Sequence, residues 1–436
     1  MLVKVKQKNL VFGLCLILSV LFVFPQMQFT QPNFLDVAET WSFGKKIFQN
    51  SISEFSNPDR FRPMYALERS VMNVLFSYNA PYYFLFQVFL LTITVYLAYM
   101  LLHRTSIHWI LLFFISVIFM VSPITIDTYW RLGTAENLFT IVLLLSLYSL
   151  MQKKYTHTVF WTIILMGAKE TAIFYIPIFI TILIFRKRRW EAALVSVSYV
   201  WLAFRLYDLV IHARMNTGSY TSLVSSSMEQ ITAMFTHSLI AYGFYFLNIW
   251  LALLLYLYRL LTTRNNNKWN WGAVFLGLNI AGICTLVSFH NKFQPYYAFP
   301  LLVTSTIWLT WELLNSEKNV RRIALVITMI FFVVMRIPQQ SLSRAYFWQR
   351  DYAGDNALIE HIEKTKDNGM YSFARGYRPE YVPALEILAE TRGWNIAAQT
   401  HYTIISEEES KNYPDSKQIC GDMLFDSKSC KWAVRE

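Results

Sequence analysis

The chain has 436 residues, of which 55% are apolar and 17% aromatic, and only 15% carry a charge. Its mean hydropathy is +0.33 and its net charge is +11 at neutral pH. This composition excludes an ordinary soluble domain and favours an all-α polytopic membrane protein, because backbone groups in hydrocarbon must be hydrogen-bonded within their own helix. The basic charge is explained by cytoplasmic loops, so no nucleic-acid partner is expected.

The first apolar run, at 10–24, follows a basic N-terminal segment. No small-x-small signal-peptidase site follows this run, so the sequence predicts an uncleaved first span with the N-terminus in the cytoplasm. Basic clusters then recur along the chain, and apolar segments separate each cluster from the next. If the chain crosses the membrane an even number of times between successive clusters, all the clusters lie on the cytoplasmic side. These clusters lie at 4–8, 103–104, 153–154, 186–189, 259–268 and 318–322.

This arrangement predicts about 11 membrane helices in a transmembrane domain at 1–337. Residues 158–185 are too few for two full spans of about 20 residues each, so a pair of short helices is expected to meet at the sequence GAKET. The first external loop covers 28–79. The long spans are predicted at 10–24, 82–102, 107–126, 136–151, 192–211, 234–258, 271–289, 296–314 and 323–337.

Residues 338–436 differ in composition, being charged and without an apolar run of span length. The segments NALIEHIEK and PALEILAE are typical of amphipathic helices, so a small extracytoplasmic C-terminal domain of α or α+β class is expected. Cys420 and Cys430 lie ten residues apart there and are predicted to form a disulfide; metal binding is less favoured because no C-x-x-C spacing accompanies them. Cys15 and Cys284 lie in apolar spans and are predicted to be packing residues.

Charged residues with a potential role in chemistry concentrate in the external loops. Asp36 and Glu39 lie three apart in FLDVAETW and share one face if this stretch is helical, the geometry of an acid/base pair or a metal clamp. A solvated loop with ordinary surface charge is the alternative. Arg60 and Arg62 in NPDRFRPMYAL point the same way in an extended segment and would hold a phosphate, or else contact lipid headgroups.

The next external turn, DTYWRLGTAEN, contains Arg131 and Glu136 next to Asp127, which is spaced to pair with Arg131. Lys169 and Glu170 stand at the apex of GAKET. Charges at membrane depth are costly and usually face a cavity, so these two are candidate substrate-binding residues.

Arg205 and Asp208 either face a cavity, as expected for Lys169 and Glu170, or form a structural ion pair. The segment SFHNKFQPYYAFP adds a late group of polar residues to the outer face, followed by two tyrosines expected at the membrane interface. The polar residues are His290, Asn291 and Lys292, and the tyrosines are Tyr296 and Tyr297.

The order of these motifs resembles bacterial multispan members of the GT-C glycosyltransferase superfamily. It is most similar to relatives of the protein O-mannosyltransferase group. The likeness covers about residues 8–185 and is carried by an acidic residue just after the first span, then RFRPMYAL, TYWRLGTAEN and GAKETAIFYIP. Later spans resemble the family in layout, with KFQPYYAFP similar to an R-Y-x-x-P type element.

The resemblance implies a cell-membrane enzyme that transfers a hexosyl or pentosyl group from a polyprenyl-phosphate donor to an extracytoplasmic glycan, lipid or protein. It makes Asp36 the general base and assigns phosphate binding to Arg60, Arg62 and Lys169. Glu39 departs from the family's adjacent pair of acids, which leaves a divalent metal open; no other cofactor is indicated.

Two other functions remain open at this stage. A transporter or flippase of an envelope precursor would also place charges at membrane depth and use broken helices such as the pair at GAKET, although the halves of the chain show no repeat. A non-catalytic protein that assembles envelope machinery through its external tail is the third.

Overall fold

The structure is a computed structural model, and helices dominate it, as the apolar composition predicts. The spans predicted at 107–126 and 234–258 lie in large part outside the residues it describes. Those residues are 2–33, 36–37, 40–55, 61–102, 118, 122–216, 247–262, 271–288, 295–365, 381–394, 402–405, 417–419 and 431–435.

The first half of the chain forms a series of helices joined by short turns, and a 3₁₀ helix at Trp41–Phe43 lies in the first loop. Prolines in the first turn begin α3 and α5, where a missing N–H is harmless. The helices are α1 (Leu2–Met27), α2 (Ile47–Ser53), α3 (Pro63–Phe76), α4 (Ala80–Leu102), α5 (Pro123–Tyr129), α6 (Glu136–Met151), α7 (Tyr155–Ala168), α8 (Ala172–Phe185) and α9 (Arg189–Asn216).

The second half continues with helices and ends in a small sheet. A 3₁₀ helix at Pro295–Ala298 precedes α12. The helices are α10 (Leu247–Thr262), α11 (Trp271–Ser288), α12 (Phe299–Asn315), α13 (Lys318–Val334), α14 (Ile337–Thr365) and α15 (Tyr381–Arg392). The strands β1 (Tyr402–Ile405), β2 (Lys417–Ile419) and β3 (Lys431–Arg435) form an antiparallel sheet in the order β1-β3-β2.

Two of the described helices are long and apolar enough to cross a membrane, namely Asn9–Met27 within α1 and the whole of α4. Four more in the described part of the chain are apolar but shorter: α6, α8, α10 and most of α11. Length and composition alone support this statement, and the count of about 11 spans stays a prediction.

Exposed apolar side chains form stripes on several helices. On α1 they recur every three or four residues, and the opposite face, with Val11 and Cys15, is buried against the bundle. On α13 a similar stripe covers most of the helix, which buries Ala324 and Thr328. A soluble protein rarely exposes so much contiguous apolar surface, and contact with acyl chains accounts for it. The α1 stripe is Leu10, Leu14, Ile17, Leu21 and Phe24.

The predicted break at GAKET is present. α7 ends at Ala168, Lys169 has an extended backbone (φ −163°, ψ 149°), and α8 begins at Ala172. Each helix of the pair has 14 residues, about 21 Å of rise, which is short of the hydrocarbon thickness. The break therefore holds Lys169 and Glu170 at the meeting point of two helix ends.

Two basic clusters, at 153–154 and 186–189, lie close together at the other end of these helices. The Arg188 guanidinium lies 4.5 Å from the ring centre of Tyr155, which joins the start of α7 to the end of α8. Arg321 caps the end of α12 through its Nε, which donates to the Leu313 carbonyl at 2.7 Å. This grouping agrees with the charge pattern, and its cytoplasmic orientation stays a prediction.

The C-terminal segment begins close behind the last predicted span. Arg336, with a left-handed φ of 51°, links α13 to α14. α14 and α15 contain the two predicted amphipathic segments, and α14 packs against α5. The disulfide predicted for Cys420 and Cys430 lies outside the described residues.

The packing of α11 on α12 generates a testable prediction. A Cβ at Gly282 would lie 2.8 Å from Cδ1 of Leu301 and 3.1 Å from the Tyr175 hydroxyl, so Gly282→Ala should destabilise the protein by about 1–3 kcal/mol. Gly13→Ala is the matched control, because a Cβ there meets nothing within 4 Å and alanine favours a helix. Thermal unfolding in detergent should show a lower midpoint for Gly282→Ala alone; equal midpoints would contradict the close approach.

Candidate active site

Asp36 is fully buried, and donors from separate parts of the chain hold its carboxylate. Oδ1 accepts a hydrogen bond of 3.1 Å from the Gly133 N–H and lies 4.0 Å from Nε of Arg131. Oδ2 accepts a hydrogen bond from the Tyr352 hydroxyl. The Asp36 N–H donates to Oδ1 of Asn33 at 2.8 Å, which fixes the backbone. Such donors stabilise a carboxylate anion where water does not reach.

The segment at 131–136, here called the outer turn, is fixed by α3. The Tyr65 hydroxyl donates to the Gly133 carbonyl at 2.8 Å, and Nη2 of Arg69 donates to the Thr134 carbonyl at 3.1 Å. Both α3 side chains are almost fully buried. Because Gly133 also binds Asp36 through its N–H, α3 and the candidate base are connected through the backbone of a single residue.

Arg131 is surrounded by aromatic rings as well as by acids. Its guanidinium lies 4.8 Å from the ring centre of Tyr296 and 5.4 Å from that of Trp348. Cation–π contacts of this kind favour a desolvated arginine. Arg131 is also an electrostatic neighbour of Asp127, as the spacing of the two residues predicts. It thus lies between two carboxylates and carries the positive charge that both require.

Asp127 is anchored by α14. Its Oδ1 accepts hydrogen bonds from Nε of Arg344 and from the indole N–H of Trp348. Burial raises the pKa of Asp127, and the charge of Arg344 opposes that rise. α14 is therefore attached to the bundle by a buried, charged contact in addition to apolar packing.

Lys169 lies at the other end of the outer turn. Its Nζ pairs with Oε1 of Glu136 and lies 4.0 Å from the ring centre of Tyr297. Arg62 is an electrostatic neighbour of Lys169, and its guanidinium lies 4.9 Å from the Tyr65 ring. Two cations from distant segments therefore lie close together near the residues that bind Gly133.

Glu170 has a supporting contact. Its Oε1 accepts a hydrogen bond of 3.0 Å from the Phe61 N–H, just before Arg62. The Arg62 N–H in turn donates to Oε2 of Glu54 at 3.1 Å. Glu170 is a predicted substrate-binding residue, and this contact also holds the segment that presents Arg62.

The structure brings most of the described candidates to one place. Asp36, Arg131 and Glu136 lie on or against the outer turn, and Lys169 and Arg62 adjoin it. Arg205 and Asp208 pair with each other, which is the structural alternative for these two. The remaining candidates lie outside the described residues, and these are Glu39, Arg60, His290, Asn291, Lys292, Cys420 and Cys430.

Several residues of the site escaped the sequence analysis. Trp348 and Tyr352 belong to a segment predicted to form a separate external domain, and their four-residue spacing was the available signal. Tyr296 and Tyr297 were expected at the membrane interface. Tyr296 is instead buried, and each ring lies beside one cation of the site.

The environment of Asp36 also bears on metal binding. Its oxygens face an N–H group, a hydroxyl and a guanidinium, which are donors and not metal ligands. Within the described ranges, no three His, Cys, Asp or Glu side chains cluster. The described surroundings of Asp36 fit a carboxylate that accepts protons and hydrogen bonds.

Comparisons with known proteins found few matches. No family model matches the chain, and no curated protein matches it. One solved structure is similar: the crystal structure of ArnT from Cupriavidus metallidurans bound to undecaprenyl phosphate. It aligns over 98% of this chain and 97% of that chain, at 10% sequence identity and a TM-score of 0.48.

The buried pair of Lys169 and Glu136, with side chains 7% and 2% exposed, generates a prediction. Lys169→Met leaves the Glu136 carboxylate buried without its ammonium partner and should destabilise the protein by about 3–5 kcal/mol. The double variant Lys169→Met/Glu136→Gln removes both charges and should recover most of that stability. Unfolding midpoints in detergent test this; a double variant as unstable as Lys169→Met would contradict the pairing.

Proposed function

We propose that this protein is a membrane glycosyltransferase that moves a sugar from a polyprenyl-phosphate donor to an acceptor hydroxyl on the extracytoplasmic face. The observation that carries the proposal is the convergence of Asp36 with Arg62 and Lys169 around one outer turn of an apolar helix bundle. Sugar transfer from a lipid phosphate requires a base for the acceptor and cations for the leaving phosphate.

Asp36 is the proposed general base. Each carboxylate oxygen has two lone pairs, so it can accept from a substrate hydroxyl while it also accepts from a protein donor. Because Asp36 is fully buried, that hydroxyl reaches it after neighbouring side chains shift. The acceptor oxygen then bonds to the anomeric carbon, the bond from this carbon to the phosphate oxygen breaks, and the acceptor proton passes to Asp36.

Arg62 and Lys169 are the proposed phosphate-binding residues. The departing phosphate gains the electron pair of the broken bond, and cations near it stabilise this charge in a site of low dielectric. Lys169 is neutralised by Glu136, so a phosphate would compete with this carboxylate for its ammonium group. Glu136 thus balances the charge of Lys169 until the donor binds.

An apolar groove supports a lipid-linked donor. It has a volume of about 500 Å³ and is lined by Pro177, Ile178 and Phe185 of α8 together with Val274 and Gly277 of α11. α8 begins three residues after Lys169, and Pro177 lies about 7.5 Å along the helix from Ala172 at 1.5 Å per residue. A polyprenyl tail whose phosphate lies at Lys169 would follow α8 to this groove.

The test uses cells that lack this protein and carry either the native chain or Asp36→Asn at equal expression. Mass spectrometry of lipid-linked sugars and envelope glycans should show a missing sugar restored by the native chain. With Asp36→Asn the donor should accumulate unspent, since loss of a general base lowers the rate by about 10²–10⁴-fold.

Asp208→Asn is the matched control, because Asp208 is a partly exposed carboxylate that pairs with Arg205 on the same helix. It should restore the sugar as the native chain does. Full complementation by Asp36→Asn would overturn the proposed base and favour transport or envelope assembly.

A further inference from the structure

One face of α14 follows the end of the bundle that contains the outer turn for about three turns. Arg344, Trp348, Tyr352 and Asn356 recur every four residues, which places them on the same face of the helix. The first two bind Asp127 and the third binds Asp36. Asn356 exchanges two hydrogen bonds with the backbone of residue 31, of 3.1 and 3.0 Å. The whole face is thus occupied by contacts with the first loop and the region around the outer turn.

Tyr352 is the residue of this face that reaches the candidate base. It is fully buried, and its ring lies 5.4 Å from the ring centre of Phe29 and 5.5 Å from that of Phe84. These two rings come from the end of α1 and from α4, so the tyrosine is held by elements far apart in the chain. Its hydroxyl therefore points at Oδ2 of Asp36 from a fixed position.

The hydroxyl acts as a donor at ordinary pH. Burial raises the pKa of Tyr352 well above its usual value, and the negative charge of Asp36 raises this pKa further. A phenol that keeps its proton beside a carboxylate stabilises the ionised form of that carboxylate. The ionised form is the one that can accept a proton from a substrate.

We propose that Tyr352 is a positioning residue for sugar transfer, which fixes Oδ2 of Asp36 and keeps this carboxylate ionised, so that α14 completes the active site. This inference rests on the proposed function of Asp36 as the base. Arg131 from the outer turn and Arg69 from α3 also act on Asp36, and Asp351 on α14 is linked to it through Asn33. Those groups remain in place when the tyrosine hydroxyl is removed.

The test is the pH dependence of kcat/KM for purified native chain and Tyr352→Phe. The donor is the lipid-linked sugar fraction extracted from cells that carry Asp36→Asn, and the acceptor is the envelope fraction of the same cells. Without the phenolic donor the ionised base is less stable, so the acidic limb of the profile should move to higher pH by about one unit. Tyr346→Phe, which changes an exposed tyrosine of the same helix, should leave the limb unmoved.

A second variant should move the acidic limb of the pH profile in the opposite direction. Incorporation of 3-fluorotyrosine at position 352 keeps the ring and the hydroxyl and makes the latter a stronger donor, so the limb should move to lower pH. Opposite shifts would not arise from a structural role. A uniform loss of rate with an unmoved limb in both variants would overturn the role of Tyr352. Undiminished activity of Asp36→Asn, or no transfer by the native chain, would overturn the proposed function itself.

Discussion

The charge of Asp36 has to be held in a place that water does not reach. An isolated buried carboxylate is strongly unfavourable, and the chain offsets this with a backbone N–H, a guanidinium and a phenol from different segments. Each donor in turn depends on an element that must be correctly placed: Gly133 on α3, Arg131 on two aromatic rings, and Tyr352 on α14. The end of the bundle that contains the outer turn is therefore organised around one anion.

Adjacent tyrosines connect the two sides of the site. Tyr296 lies beside Arg131, which serves the base, and Tyr297 lies beside Lys169, which is proposed to hold the phosphate. Their ring centres are 4.8 Å apart, so a shift of one ring would displace the other. A single short helix at Pro295–Ala298 thus lies beside two cations from distant segments, Arg131 of the outer turn and Lys169 of the break between α7 and α8.

Local patterns in the sequence predicted the features that depend on nearby residues. Apolar runs located the long helices, the shortage of residues at 158–185 predicted the break at GAKET, and charge in the loops indicated Asp36, Arg62 and Lys169. The contact from Tyr352 to Asp36 joins residues 316 positions apart and has no local signature. The amphipathic segment at 356–364 predicted a helix in the charged tail, but its composition did not indicate that one face of this helix is buried on the site. Tyr296 was misinterpreted for a similar reason, since tyrosine suits a membrane interface and a buried cation equally well.

The junction at Arg336 has a mechanical consequence. α13 exposes its apolar stripe to lipid and buries little of itself in the bundle, and α14 follows after two residues with its face on Asp36. Helices adjust their tilt when the bilayer becomes thinner or thicker. A change of tilt in α13 would be passed through two residues to α14, so the thickness of the surrounding membrane would bear on the position of Tyr352.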